Sequence, residues 1–436
     1  MKVPDLAEAT GSEKTAKKPK NIDLRKYRKK KKRGTLILKL IVFALAAAAV
    51  VFVWLNAATI FEPLRGIASK VQTKTTDDVG FPIELPGSSE YSLMKFGDNL
   101  SLLTDTYLYA YDTSGAQNYA LKHGYSHPEQ ATSEKRILLY DKLAYNFALY
   151  SKSSLIYQKA LEDKIVYASV GGDGLAALVT QSKRYANILY IYDDGGNWLY
   201  TKKFADENVM QVCSAGDGEH IVVSTVSASS GDILTSFYRF SVRSADAPLW
   251  KYTLRTNSLP CGLYYGKSTV TAVCDNCVLS LDQATGEQIG MYAFTGTLKN
   301  YYAGENSVIV HYSDISTNKN VLLELDANAS AVSLAYVSAN ASCVYADASG
   351  IYVLEGSRVK IFDEGLIGER YIQTPDDDYS DFVKISGNLY MLGYETLGKT
   401  NVYSSQDSDA PATENEKPAE NTTKTERTES ELIIIE

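Results

Sequence analysis

The sequence predicts an all-β protein whose main part is an eight-bladed β-propeller of four-stranded blades, preceded by one transmembrane α-helix. Beyond about residue 79, apolar and polar side chains alternate in short runs, and one strand–turn unit returns at a spacing of about 40 residues. A long uncharged stretch near the N-terminus predicts the helix. Together these patterns divide the 436 residues into the segments 1–34, 35–61, 62–78, 79–404 and 405–436.

The predicted membrane helix occupies residues 35–61. Its centre, Leu40–Phe61, contains 22 residues without an ionisable side chain, enough to cross a hydrocarbon core of about 30 Å. The run Arg25–Arg33 before it contains eight basic residues in nine, which predicts a cytoplasmic N-terminus and a propeller outside a bacterial cell membrane. A cleaved signal peptide is the alternative, but its apolar part is normally about 7–15 residues, so the length favours an uncleaved anchor.

Charge is distributed unevenly along the chain. Residues 1–39 contain 14 Lys and Arg against 4 Asp and Glu, whereas the whole chain has a formal charge of −8. The basic run 25–33 has the charge to bind phosphates, but its position beside the anchor favours a role in topology and contact with anionic lipid rather than nucleic acid. We expect residues 1–34 to be a disordered cytoplasmic tail, 62–78 a polar stalk, and 405–436 a disordered acidic tail.

The repeat is an alternating strand that ends in Asp or a substitute and is followed by a turn. Asp accepts hydrogen bonds from the backbone two residues ahead, and Gly supplies the positive φ that such turns need. The clearest copy is Val278–Asp282 with its turn Gln283–Gly286. The spacing is that of a four-stranded propeller blade. The key positions are Asp112, Ser151, Asp193, Arg243, Asp282, Asp326, Asp363 and Ser404.

Each repeat also has room for two earlier strands. In the fifth repeat we predict strands at 261–265, 268–273, 277–282 and 288–294, from the innermost to the outermost. The last repeat lacks an outer strand, and Gly80–Leu85 precedes the first repeat as a spare one. Pairing these two would close the ring and remove both open edges. Seven blades is the alternative, because the second and fourth repeats are weak.

The sequence Ser280–Glu287 resembles the repeat of pyrroloquinoline-quinone-type propellers, with its small residue, Asp and Thr-Gly turn, although Gly290 stands where those repeats place a tryptophan. The overall plan is similar to an uncharacterised Firmicutes family of membrane-anchored propellers with a domain of unknown function. The matching elements are the basic N-terminus, the anchor, Gly80–Leu85 and Leu103–Tyr109. This resemblance covers about 25–404 and implies a bacterial extracytoplasmic propeller without a known activity.

Cysteine and histidine motifs are sparse. Cys274 and Cys277 flank a two-residue turn, and for them we weigh plain packing ahead of a disulfide. The remaining cysteines of the ring, 213, 261 and 343, are predicted on innermost strands as small buried hydrophobes. His123 and His127 are four residues apart but lie in a loop, which favours surface histidines over a metal pair.

Two further patterns suggest loops rather than sites. The acidic run Asp376–Asp381 could gather oxygen ligands for Ca²⁺, but it lacks the EF-hand pattern and is typical of a solvated loop. Gly171–Gly174 and Gly216–Gly218 are interpreted as turns, since no helix follows them. No catalytic, cofactor-binding or metal-ligating residue is assigned, and a quinone cofactor is disfavoured because the chain has no adjacent cysteines and only 3 Trp.

Two functions from different classes are compatible with this pattern. We favour a non-catalytic scaffold that binds an envelope protein or a cell-wall polymer, with the bilayer contacted through 35–61 and 25–33. The alternative is a hydrolase or lyase acting on envelope glycans, with carboxylates such as Asp173, Asp217 and Glu305 on inner strands of the channel. Paired carboxylates in the channel would favour the enzyme, and an exposed apolar rim would favour binding.

Overall fold

The computed structural model describes residues 71–72, 80–88, 90–244, 247–374 and 379–403. Every regular element in these ranges is a β-strand, and none of them contains a helix long and apolar enough to cross a membrane. The predicted tail 1–34, the predicted membrane helix 35–61, most of the stalk 62–78 and the tail 405–436 lie outside the described residues.

Blades 1 to 4 are each built from four consecutive antiparallel strands, ordered from the innermost to the outermost. The sheet of blade 1 has a fifth strand, Val71–Gln72, next to the fourth. Two short strands come first, β1 (Val71–Gln72) and β2 (Ile83–Glu84). The strands of blades 1 to 4 are β3 Ser92–Phe96, β4 Asn99–Leu103, β5 Tyr107–Asp112, β6 Gln117–Lys122; β7 Pro128–Thr132, β8 Ile137–Asp141, β9 Asn146–Tyr150, β10 Leu155–Ala160; β11 Ile165–Val170, β12 Ala176–Thr180, β13 Asn187–Tyr192, β14 Trp198–Phe204; β15 Asn208–Ser214, β16 His220–Ser229, β17 Asp232–Ser241 and β18 Trp250–Leu254.

Blades 5 to 7 repeat this order, and blade 8 takes its outer strand from β2. The ring therefore has eight blades, and the seven-bladed alternative is wrong. The weak second and fourth repeats are complete four-stranded sheets. The remaining strands are β19 Pro260–Tyr265, β20 Thr269–Cys274, β21 Cys277–Asp282, β22 Gln288–Ala293; β23 Gly296–Ala303, β24 Ser307–Asp314, β25 Asn320–Asp326, β26 Ala331–Val337; β27 Ala341–Asp347, β28 Gly350–Glu355, β29 Arg358–Asp363, β30 Ile367–Gln373; β31 Asp381–Ile385, β32 Asn388–Leu392 and β33 Thr396–Asn401.

The Asp-turn mechanism is confirmed in the fifth blade. Asp282 Oδ1 accepts hydrogen bonds from the backbone N–H groups of Ala284, at 2.9 Å, and Thr285, at 2.8 Å. Gly286 then adopts a φ of 74°, in the left-handed region that favours glycine. The four strands of this blade lie where the sequence predicts them, within one residue at each end.

The predicted closure of the ring is also confirmed. Strand β2 pairs with β33 in antiparallel register, Ile83 opposite Leu397 and Glu84 opposite Thr396. Leu85 N–H extends the ladder by donating to the carbonyl of Glu395 at 2.8 Å. An apolar cluster shared by blades 8 and 1 lies behind this ladder; its buried members are Leu93, Leu100, Leu102, Tyr111, Ile385, Tyr390, Leu392 and Leu397.

Neighbouring blades pack through similar apolar clusters and through close contacts between turns. The indole of Trp250, on the outer strand of blade 4, covers the turn of blade 5 and donates from Nε1 to the carbonyl of Gln283 at 2.9 Å. A Cβ at Gly286 would lie 2.5 Å from the indole Cδ2. The sequence does not single out Trp250, because the repeat that contains it is degenerate.

Gly290 shows why blade 5 departs from the quinone-type repeat. A Cβ at this position would overlap the carbonyl oxygen of Asn328, in the turn of blade 6. The glycine therefore lets the backbone of the next blade approach the outer strand of blade 5. A tryptophan would displace that turn.

We expect Ile83→Asp to lower the free energy of unfolding by about 1–3 kcal/mol, because it places a charge against the apolar cluster between blades 8 and 1. Glu84→Gln is the matched control, since Glu84 is exposed on the same two-residue strand. Thermal unfolding followed by circular dichroism measures both. Equal melting temperatures for the two variants would show that β2 does not close the ring.

We expect Gly290→Ala to destabilise the ring by about 1–3 kcal/mol, because the added methyl group must push away the backbone of Asn328. Gly172→Ala is the control, since no atom lies within 4 Å of the position its Cβ would take. Urea unfolding at equilibrium measures the difference. A Gly290→Ala midpoint at or above that of Gly172→Ala would contradict the close packing of blades 5 and 6.

Candidate functional site

The alternation of antiparallel strands divides the loops of the ring between two faces. Loops that join the innermost strand to the second, and the third to the outermost, lie on what we call the first face. Loops that join the second strand to the third, and the outermost strand to the next blade, lie on the second face. Each blade thus contributes two loops to each face.

Asp173, one of the three carboxylates considered for catalysis, lies in a first-face turn rather than on an innermost strand. The turn joins β11 to β12, and the Asp173 carboxylate accepts hydrogen bonds from Ser214 Oγ at 2.7 Å and from the Gly218 N–H at 2.9 Å. The prediction of an inner-strand position was wrong because Asp next to Gly favours turns over strands. The carboxylate connects blades 3 and 4. The glycine runs around Asp173 and Gly218 form turns as predicted.

Asp217 and Glu305 are likewise in first-face turns, and both carboxylates are engaged. Asp217 accepts hydrogen bonds from the backbone of Glu219 and pairs with His220 Nδ1 at 2.6 Å. Partial burial acts to raise the pKa of Asp217, but the hydrogen bonds from His220 outweigh this effect and lower the pKa. Glu305 pairs with Lys267 of blade 5 at 2.5 Å. These three carboxylates thus act as structural acceptors, and no two of them form a free acid–base pair.

A groove with a volume of about 630 Å³ opens on the first face between blades 6 and 7. Its apolar part includes Tyr302 and Val332. Three of its carboxylates pair with basic side chains: Glu305 with Lys267, Asp347 with Lys384, and Asp363 with Arg370. We call this the acidic groove. Its six carboxylates belong to Glu305, Glu324, Asp326, Asp347, Asp363 and Glu364.

The charges of the acidic groove are held in place by the fold. Partial burial acts to raise the pKa of Asp347. The ammonium of Lys384 and the hydroxyl of Ser349 outweigh this effect and lower the pKa. Glu324 is buried and accepts hydrogen bonds from Ser333 Oγ, at 2.8 Å, and from the Gly365 N–H, at 3.0 Å. In the part of the chain that the structure describes, no three His, Cys, Asp or Glu side chains are grouped to hold a metal ion.

The calcium hypothesis for Asp376–Asp381 is only partly within the described residues. Residues 375–378 fall outside them, whereas Asp381 begins the innermost strand of blade 8 and lies beside Cys343. Burial raises the pKa of the Asp381 carboxyl. Asp381 is therefore not part of a solvated loop, because the strand register draws it into the interface between blades 7 and 8.

The cysteines behave as packing residues. Cys213, Cys261 and Cys343 lie on innermost strands, as predicted, but they are half-buried rather than buried. Cys274 and Cys277 are buried free thiols in hydrogen-bonding contact with each other at the end of the β20–β21 hairpin. The Cys274 thiol lowers the pKa of Cys277 by donating to it.

The histidines differ in environment. His127 is exposed, and His123 contacts the Thr104 carbonyl through Nε2 at 3.1 Å while Nδ1 accepts from the Tyr125 N–H at 3.0 Å. With both ring nitrogens of His123 engaged, the pair does not form a metal site. His311 on β24 is 1% exposed, and neither of its ring nitrogens has a hydrogen-bond partner among the described residues.

The outer strands of blades 5 and 6 both expose apolar side chains. Neither β22 nor β26 contains a charged residue, whereas each of the other six outer strands carries at least one. Exposed edges of sheets are normally protected by charges. We call this surface the apolar rim; its large exposed side chains are Ile289, Met291, Val332, Leu334 and Tyr336. The sequence does not single it out, because these residues alternate with others just as buried strand residues do.

Comparison with known proteins places the ring in a family. A model of a family of unknown function, DUF5711, matches residues 71–397, from the first short strand to the start of the last one. The chain belongs to this family. A comparison with curated proteins found no match. The family assignment brings no activity, so the site must be interpreted from its own geometry.

Solved structures with similar folds are propellers of diverse origin. BamB from Moraxella catarrhalis is 10% identical, covers 74% of this chain and 96% of its own, and gives a TM-score of 0.52. Dihydro-heme d1 dehydrogenase NirN is 10% identical with a TM-score of 0.51, covering 79% and 78%. The WD40 domain of SCAP from fission yeast is 10% identical with a TM-score of 0.50, covering 76% and 98%. At these identities the likeness shows the fold alone.

We expect the stability of the ring to fall in acid through His311. Burial lowers the pKa of His311 to about 4, and the Lys299 ammonium contributes less to this shift. The Glu355 carboxylate acts in the opposite direction. The unfolded chain takes up this proton near pH 6.5 and the folded chain near pH 4. The contribution of His311 to the free energy of unfolding is therefore fully present above pH 6.5 and is lost as the pH falls towards 4. The loss amounts to about 3 kcal/mol.

The variant His311→Leu tests this. It should remove that part of the pH dependence and be neutral or stabilising at pH 7, because two buried unpaired nitrogens disappear. Urea unfolding from pH 7 to pH 4 measures it, with the exposed His127→Leu as control. Parallel stability curves for wild type and His311→Leu would contradict the buried neutral imidazole.

Proposed function

We propose that this chain is a membrane-anchored extracytoplasmic propeller that acts as a non-catalytic scaffold for an envelope protein or a cell-wall polymer. The apolar rim on blades 5 and 6 carries this proposal. Val332, Leu334 and Tyr336 are each about half exposed, on a strand that lacks charge. Clustered exposed apolar side chains on an open sheet edge are typical of an interaction surface.

The placement of carboxylates supports binding over catalysis. A glycan-acting enzyme needs two carboxyl groups on either side of the scissile bond, one able to donate a proton. Asp173 and Asp217 are acceptors for backbone N–H groups, and Glu305 is neutralised by Lys267. The pKa of Asp217 is lowered, which is the opposite of what a proton donor requires.

The membrane part of the proposal rests on the sequence. Residues 35–61 would span the bacterial cell membrane, with the basic run 25–33 against anionic lipid on the cytoplasmic side. The nine residues of the stalk that precede β1, 62–70, would reach at most about 32 Å when extended. The propeller would therefore act close to the outer membrane surface, on partners within that reach.

A photo-crosslinking amino acid at position 336, in the native membrane, tests the scaffold. We expect one or a few defined adducts, identified by mass spectrometry or by sensitivity to wall-degrading enzymes, and their loss when Leu334→Lys is added. Position 198 is the control, because Trp198 is 62% exposed on the outer strand of blade 3. No adduct at 336, or the same adducts at 336 and 198, would overturn a scaffold that binds through the rim.

A further inference from the structure

We propose that β26 binds an extended segment of a protein partner by strand addition, and that apolar residues alternate with Lys or Arg in this segment. The basic side chains would enter the acidic groove, and the apolar ones would pack on Leu334 and Tyr336. This inference rests on the proposed scaffold function and names the partner's chemistry. Strand addition supplies affinity through main-chain hydrogen bonds and specificity through alternate side chains.

The backbone edge of β26 is open. In the sheet of blade 6 the strand order is β23, β24, β25, β26, and β26 pairs with β25 alone within the described residues. The seven residues Ala331–Val337 thus present a row of N–H and C=O groups on their outward side. This edge is as long as that of any outer strand of the ring. It contains neither a charged residue nor a proline, two of the usual protections of an edge against pairing.

One side of this edge is apolar. Leu334 is 48% exposed and Tyr336 is 51% exposed. The Lys319 ammonium lies 4.3 Å from the centroid of the Tyr336 ring, which fixes one end of the surface. Apolar side chains at every second residue of an added strand would cover Leu334 and Tyr336.

The other side leads into the acidic groove. The register of β25 and β26 shifts between Ala331 and Ser333, so Val332 is an extra residue opposite no residue of β25. Such a bulge redirects the side chain, and Val332 lines the acidic groove. Ser333 donates to the buried Glu324 of the same groove. The side chains of an added strand that point this way would meet carboxylates.

The charge of the groove selects the partner. Six carboxylates line it and three of them are paired with Lys267, Arg370 and Lys384, which leaves a net charge of −3. Glu364 is exposed and makes no ion pair within the described part of the chain. A second copy of β26 would add no basic residue here, whereas a strand with Lys or Arg at alternate positions would neutralise the groove.

The probe is a fluorescein-labelled octapeptide of alternating valine and lysine, (Val-Lys)₄, titrated with the purified full-length chain in non-ionic detergent and followed by anisotropy. We expect saturable binding that weakens with added salt. The alternating valine and glutamate peptide should bind at least tenfold more weakly. So should the valine–lysine peptide methylated on every backbone nitrogen, because it cannot form the ladder. Equal binding of the methylated peptide would overturn strand addition.

Three variants separate the parts of the surface. Leu334→Lys should weaken binding of the valine–lysine peptide at least tenfold, and Glu364→Gln should weaken it two- to fivefold with a smaller salt dependence. Leu249→Lys is the matched control, a leucine 51% exposed next to the outer strand of blade 4, and should change binding less than twofold. All three positions are exposed, so the folded ring is retained. Equal losses for Leu334→Lys and Leu249→Lys would overturn the site.

The crosslinking experiment tests the scaffold function, and the peptide experiment tests strand addition, so either proposal can be overturned without the other. Defined adducts at position 336 together with no discrimination between the methylated and unmethylated peptides would leave the scaffold standing and overturn strand addition. No adduct at 336 and no peptide binding would overturn both. Selective peptide binding without any adduct would support the edge as a site and contradict a resident partner in the envelope.

Discussion

The pairing of Ile83–Glu84 with Thr396–Leu397 is the constraint on which the ring depends. The second strand of most blades is buried along all or nearly all of its length, as in β12, β20 and β28, and each blade needs a neighbour on both sides. Seven of the eight interfaces between blades join blades that are consecutive in the chain. The last one must join residues more than 300 positions apart. Loop-closure entropy grows only slowly with length, so one apolar cluster offsets that cost.

The closed ring uses its polar residues mainly for structure. Asp112, Asp282 and Asp326 accept hydrogen bonds from backbone N–H groups of the turns that follow them. Other carboxylates join blades, as Asp347 does with Lys384 of the next blade. A carboxylate that completes a turn or an ion pair is held ionised and is poorly suited to proton transfer. Interaction surfaces are therefore left to loops and outer strands, and the apolar rim is one of them.

The sequence predicts those features of the fold that depend on local chemistry. The Asp–turn unit, the four strands of blade 5 and the spare strand at Gly80–Leu85 follow from alternation, turn residues and counting. The exposure of a strand does not, because it depends on the place of that strand in the sheet. Leu334 and Leu323 both belong to alternating apolar strands, yet one is 48% exposed and the other 1%. Only the order of strands in the sheet distinguishes them.

The two uncharged outer strands are not equivalent, and the difference explains why β26 is the better edge. Gly290 of β22 lies under the carbonyl of Asn328, so the turn of blade 6 covers one side of that strand. The bulge at Val332 instead opens β26 towards six carboxylates. A second copy that met this edge through its own β26 would add no basic side chain to either groove, so the unpaired carboxylates would stay without a counter-charge. The acidic groove thus favours a basic strand over a second copy at this edge, and an edge that has no charged residue of its own becomes selective.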